Sequence, residues 1–128
     1  MANKAYTEET KSIIVLGTMY TINYVEDTDP LAETADGLCD SLTKMITVVV
    51  RPVDKTDPSM PQTDEIWKIY RKRVLRHEVL HAFLFESGLA DDSDRCDDAG
   101  WAVNEEMVDW FARMAPKIFK VYQELGIV

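Results

Sequence analysis

Twenty-three Asp and Glu residues against fourteen Lys and Arg give this 128-residue chain a formal net charge of −9 and a pI near 4.6. That balance excludes the clustered cationic footprint of direct nucleic-acid binding or of an anionic-membrane surface, and the length suits one domain, residues 1–128, with a single core. The stretch from Met1 to Glu9 lacks the apolar core of a signal peptide and no apolar run reaches the length of a membrane span, which predicts a cytoplasmic protein with Cys39 and Cys96 as reduced thiols.

Lys11 to Leu16 is apolar and rich in β-branched residues, and from Met19 to Glu26 the residues Tyr20, Ile22 and Tyr24 alternate with Thr21 and Asn23. Gly17-Thr18 between them predicts a hairpin, because glycine enters the positive-φ region that tight turns need. Asp27 to Glu33 reads as a loop. A second strand pair is predicted at Gly37 to Ser41 and Met45 to Arg51, around a turn at Leu42 to Lys44 and ending before Pro52. The expected architecture is α+β, with a small, mostly antiparallel sheet of about four strands packed on the helices that follow.

Pro52 to Pro61 carries three prolines and two aspartates and reads as an irregular connection. A helix should then start between Ser59 and Asp64, each suited as N-cap, and run to Glu86 or Ser87, with Gly88 as its stop. Ile66, Tyr70, Val74, His77, His81 and Leu84 recur at three- and four-residue spacing, which predicts an apolar face turned toward the sheet and a second helix. Asp91 to Asp98 is the most acidic stretch. It lacks the mid-loop Gly and terminal Glu of a calcium-binding EF-hand, so it reads as a solvated loop, with Cys96 open to thiol reagents. A second helix is predicted from about Ala99 to Met114, with Pro116 breaking or kinking it before a last segment to Leu125.

The chemistry concentrates in His77-Glu78-Val79-Leu80-His81, an HExxH pentapeptide that uses both histidines of the chain. Residues four apart share a helix face, so the two imidazoles can bind one Zn²⁺ together. Glu78 falls at the next helical position, suited to act on a water as general base rather than to bind the metal. A catalytic zinc needs a third protein ligand. Asn104-Glu105-Glu106-Met107-Val108-Asp109 supplies it: Glu105 and Asp109 lie four apart on one face, with Glu105 the expected third ligand and Asp109 placed to accept the free ring N–H of a ligating histidine. Neither cysteine has a partner at metal-ligand spacing.

HExxH followed by Asn-Glu-x-x-x-Asp resembles the gluzincin metallopeptidases. Glu105 to Ala112 also resembles the Glu-x-x-Ala-Asn-x-Phe-Ala signature of ImmA/IrrE-type metallopeptidases, with Val108 in place of the small residue and Asp109 in place of Asn. Both resemblances select Glu105 over Glu106 as the ligand. They cover the chain from the first hairpin to Ala112 and point most closely to the short phage- and prophage-encoded members. What they imply is a minimal gluzincin domain that hydrolyses peptide bonds, with a protein or peptide as substrate. A separate DNA-binding regulator is an expected partner, since this chain has no room for one.

The larger gluzincins use a further His or Tyr to steady the tetrahedral intermediate. No third histidine exists here, and Tyr24, Tyr70 and Tyr122 stand as unassigned donors. The reading is therefore a zinc-dependent endopeptidase with a substrate strand aligned on an exposed sheet edge around Gly37 to Ser41. Two other readings stand beside it: a catalytically weak, zinc-stabilised interaction domain, and a non-peptidase zinc amidohydrolase.

Overall fold

The computed structural model describes residues 10–90 and 100–128. The acidic loop with Cys96, the proposed helix start at Ala99 and the N-terminal stretch to Glu9 lie outside the described residues.

Strands β1 (Lys11–Val15) and β2 (Thr18–Glu26) form the predicted hairpin, with Val15 opposite Thr18. The turn falls one residue earlier than glycine alone suggests. Leu16 (φ 48°) and Gly17 (φ 87°) both adopt positive φ, the pattern of a two-residue turn whose twist matches that of the strands. Leucine tolerates this poorly, and its side chain is exposed there. A short 3-10 helix over Pro30–Glu33, capped by Asp29, interrupts the predicted loop.

Strands β3 (Gly37–Asp40) and β4 (Met45–Val50) pair antiparallel around a turn in which Asp40 Oδ1 accepts from the backbone N–H groups of Leu42 and Thr43. The sheet order is β1-β2-β4-β3, with β2 and β4 parallel and the other two pairings antiparallel. The parallel pair has a simple geometric origin. The end of β2 at Glu26 lies beside Val50, and the start of β3 at Gly37 lies beside Val48. The connection from 27 to 36 therefore stays at one end of the sheet and steps over β4. This order puts the apolar β4, with Ile46, Val48 and Val49 buried, in the interior and the short β3 at the edge.

Helix α1 (Asp64–Glu86) is capped by Thr63, whose side chain accepts from the Ile66 N–H, and ends at Gly88 (φ 84°). Gln62 ties the preceding loop by donating to the carbonyls of Asp54, Asp57 and Met60. The buried stripe of α1 differs from the predicted one. Leu84 is buried as predicted, but Ile66 is 49% exposed, whereas Trp67, Arg71, Glu78 and Ala82 are buried. The larger Trp67 takes the inward position, which rotates the covered face by one residue. His77 and His81 consequently sit on the flank of that stripe and half-buried.

The core against the sheet comprises Val15, Tyr20, Ile22, Ile46 and Ala82, with Leu75 and Val79 packed on it. At the far end of α1, Glu86 accepts from Tyr20 Oη (2.8 Å), Thr18 Oγ1 (3.2 Å) and Lys44 Nζ (2.6 Å), pinning the helix to the sheet. A second cluster of Leu84, Ala90, Ala102 and Val108 joins α1 to helix α2 (Glu105–Glu124).

The α2 boundaries correct the sequence reading at both ends. Trp101–Val103 forms a 3-10 turn, and the α-helix starts after Asn104, whose side chain accepts from the Met107 N–H. Pro116 lies inside a helix that continues to Glu124. Proline lacks the N–H that would bond to the carbonyl four residues back, at Ala112. Arg76 Nε donates to that oxygen at 2.7 Å, so the buried carbonyl is satisfied from α1 and the helix passes through.

Candidate metal centre

Helical spacing brings the two imidazoles together: His77 Nε2 and His81 Nε2 are 3.2 Å apart. Asn104, as N-cap of α2, sets the first turn of that helix against them. Glu105 then bridges the pair, with Oε2 2.9 Å from His77 Nε2 and Oε1 3.1 Å from His81 Nε2. Donors each about 2.0–2.1 Å from a tetrahedral zinc lie about 3.3 Å from one another. Each Nε2 meets a different Glu105 oxygen, at 2.9 and 3.1 Å, and the two Nε2 atoms stand 3.2 Å apart, separations close to that spacing although they join four atoms rather than three. The donor set of two imidazoles and a carboxylate is also chemically suited to zinc. His77, Glu78 and His81 by themselves form a group able to hold a metal ion.

Glu78 lies on the sheet side of the histidines, 6% exposed, with Oε1 3.8 Å from His77 Nε2. Its Oε2 is buried without a hydrogen-bond partner among the described residues. Burial, more than any neighbouring charge, pushes its pKa up to about 7; His77 opposes this and Glu105 adds to it. A cation or a polar ligand beside it would satisfy the orphaned oxygen and restore the carboxylate. Burial also lowers the pKa of His81, against the pull of Glu105, which favours the neutral imidazole that coordination requires.

Asp109 stands on the Nδ1 side of His77, with Oδ1 at 3.6 Å, on the same face of α2 as Glu105. This assigns Asp109 to His77 rather than His81, at a separation just longer than a hydrogen bond. Glu106 does not line the cleft, and Glu105 is 69% exposed on its solvent side.

The cleft around these groups has a volume of about 480 Å³. Its opposite wall is the edge strand, with Gly37, Leu38 and Cys39. Sequence reasoning missed the role of Gly37. A Cβ there would come within 2.8 Å of Val74 Cγ1 and 3.1 Å of Glu78 Cγ, so only glycine lets β3 lie this close to α1 at the level of Glu78. It also missed Arg73 and Phe85, which line the cleft one helical turn before His77 and one turn after His81. Their four-residue spacing from the histidines was the available signal. Cys39 lines the cleft as well, its thiol pushed up to about 12 by burial and by Glu78.

Of the three tyrosines, Tyr70 lines the cleft and donates its hydroxyl proton to Asp36 Oδ2. Tyr24 packs against the sheet core and Tyr122 sits exposed near the end of α2. Among the described residues no helix is long and apolar enough to cross a membrane. In comparisons with protein-family models, with curated proteins and with solved structures, the chain matched none of them.

Proposed function

We propose that this domain is a zinc-dependent endopeptidase of gluzincin type, acting in the cytoplasm on a peptide or protein segment. The observation that carries the reading is the convergence of His77 Nε2, His81 Nε2 and a Glu105 oxygen at each, with the buried, orphaned carboxylate of Glu78 beside them. A zinc ion bound there would lower the pKa of a water to about 7 and polarise a substrate carbonyl.

The remaining steps belong to the chain. Glu78 accepts the proton of the attacking water and returns it to the leaving amine, a role suited to a buried carboxylate with one oxygen unengaged beside His77. Asp109, 3.6 Å from His77 Nδ1, favours a proton on that nitrogen by its charge and so the tautomer with a free Nε2. The outer edge of β3 offers backbone N–H and C=O groups for an extended segment to pair with, directly across from Glu78.

A second reading, a zinc-stabilised binding domain with little turnover, is favoured by one observation: the Tyr70 hydroxyl proton is committed to Asp36 rather than offered to a substrate oxyanion. Glu78→Gln separates the two. The reading as peptidase expects about one zinc per chain in wild type and variant alike, with peptide hydrolysis lower by several orders of magnitude in the variant. Zinc content that survives the double His77→Ala, His81→Ala change, or hydrolysis undiminished in Glu78→Gln, overturns it. Full zinc with no hydrolysis in either protein favours the binding domain.

A further inference from the structure

Arg73, His77, His81 and Phe85 recur every four residues along α1, and all four line the cleft. The two ends of this stripe differ in chemistry. Phe85 stacks on His81, with ring centroids 6.3 Å apart, and makes one end apolar. Arg73 makes the other end cationic, its guanidinium 5.1 Å from the centroid of the Tyr70 ring.

That ring is held from both sides. Tyr70 stacks on Trp67 at 5.6 Å, and its hydroxyl donates to Asp36 Oδ2. Asp36 Oδ1 accepts from Arg51 Nε at 2.9 Å, while the same guanidinium reaches the carbonyls of Ala32 and Ala35. Both oxygens of Asp36 are thus engaged. The other acids lining the cleft stand with the histidines: Glu105 between the two Nε2 atoms, Asp109 at His77 Nδ1 and Glu78 beside His77.

Arg73 is the one Lys or Arg lining the cleft, and it forms no hydrogen bond or ion pair among the described residues. A guanidinium resting on an aromatic face keeps its N–H edge free for bidentate contact with a carboxylate. In a chain of net charge −9, an unpaired cation held in this way beside the metal centre is a recognition element in search of an anion.

We propose that Arg73, backed by the Tyr70 ring, is a subsite for a substrate carboxylate lying about two residues from the scissile bond. The spacing follows from helix and strand geometry: four residues of α1 advance about 6 Å, and an extended peptide advances about 3.3 Å per residue. The carboxylate belongs either to an Asp or Glu side chain or to the free C-terminus of the substrate. This inference rests on the peptidase reading for the nature of the substrate, but its test does not depend on turnover.

Quenched fluorescent peptides with amidated C-termini, carrying Glu or Gln at each of three positions on either side of the cleaved bond, form one arm. Peptides ending in a free acid or an amide two residues beyond it form the other. One position should show kcat/KM about tenfold higher for the carboxylate than for its amide. Arg73→Gln should bring that ratio to near one, and Arg73→Glu should bring it below one. Tyr70→Leu should lower the ratio, whereas Tyr70→Phe, which keeps the ring and loses the bond to Asp36, should retain it.

The same ratio, read as Kd by fluorescence anisotropy on zinc-loaded Glu78→Gln with and without Arg73→Gln, applies even where nothing is cut. Absence of a carboxylate preference in both arms, or its persistence in Arg73→Gln, overturns the subsite. Absence of hydrolysis by wild type overturns only the peptidase reading.

Discussion

Two adjacent glutamates differ only in helical phase, and that phase decides which one meets the imidazoles. Glu105 and Glu106 point about 100° apart on α2, and the carboxylate of Glu105 spans both Nε2 atoms while Glu106 faces away from the cleft. Competition with a chromogenic chelator should therefore show Glu105→Ala weakening zinc affinity by more than roughly 100-fold and Glu106→Ala leaving it near wild type. Asp109→Ala should fall between, near the lower end of the roughly 10- to 100-fold typical of losing a partner behind a ligand. The low end follows from the 3.6 Å separation at His77 Nδ1, which is too long for a full hydrogen bond. A weak-binding Glu106→Ala would place the second motif in the wrong register and remove the role given to Asp109.

At the scale of the elements, the continuity of α2 depends on a side chain from α1. Pro116 leaves the Ala112 carbonyl without its intrahelical donor, and Arg76 Nε supplies one at 2.7 Å. Ala112 is buried, so Arg76→Met should cost about 1–3 kcal/mol in urea unfolding, the penalty of an unsatisfied buried acceptor. Pro116→Ala restores an N–H to the helix. It should stabilise the Arg76→Met background by more than it stabilises wild type, with a coupling of about 0.5–2 kcal/mol. Additive effects in this double-mutant cycle would mean that the helix passes through Pro116 for another reason. The same contact holds α2 against α1, with Arg76 next to His77 in sequence and Ala112 one turn beyond Asp109, so an element-level compensation also steadies the centre.

For the molecule as a whole, the centre joins two helices that also meet through the Arg76–Ala112 bond and a small apolar cluster of Leu84, Ala90, Ala102 and Val108. The sheet and α1 are secured separately by the Tyr20–Ile46 core and by Glu86. An ion bound to His77, His81 and Glu105 would clamp α2 to this unit. If the centre binds zinc, the ion in 100-fold excess over its Kd should contribute about 2.7 kcal/mol to stability, which for a chain of this length corresponds to a Tm higher by about 10 °C. A chelator should reverse the gain, Glu105→Ala should abolish most of it, and amide exchange should quicken first in α2 rather than in the sheet. A Tm indifferent to zinc would show that the helices are fixed without the ion.

The sequence by itself determined the four strands, the limits of α1 and the four-residue pairing of the site residues, but not the 3-10 helix at Pro30–Glu33 or the limits of α2. Alternation in Tyr20, Ile22 and Tyr24 marked a strand, Thr63 and Gly88 bounded α1 within the expected limits, and the four-residue repeats of His77–His81 and Glu105–Asp109 put each pair on one face. These are local properties, fixed by backbone periodicity and caps. Only the tertiary structure decided that β4 inserts between β2 and β3, because strand alternation is identical whichever neighbour a strand takes. Likewise, the inward turn of Trp67 instead of Ile66 and the survival of α2 through Pro116 depend on partners far along the chain. Gly37 could come to lie against Glu78, and Asp36 to fix the Tyr70 ring, only after helix and edge strand had met, since both contacts join segments more than thirty residues apart in sequence, whereas the Arg73–Tyr70 stack is local to α1.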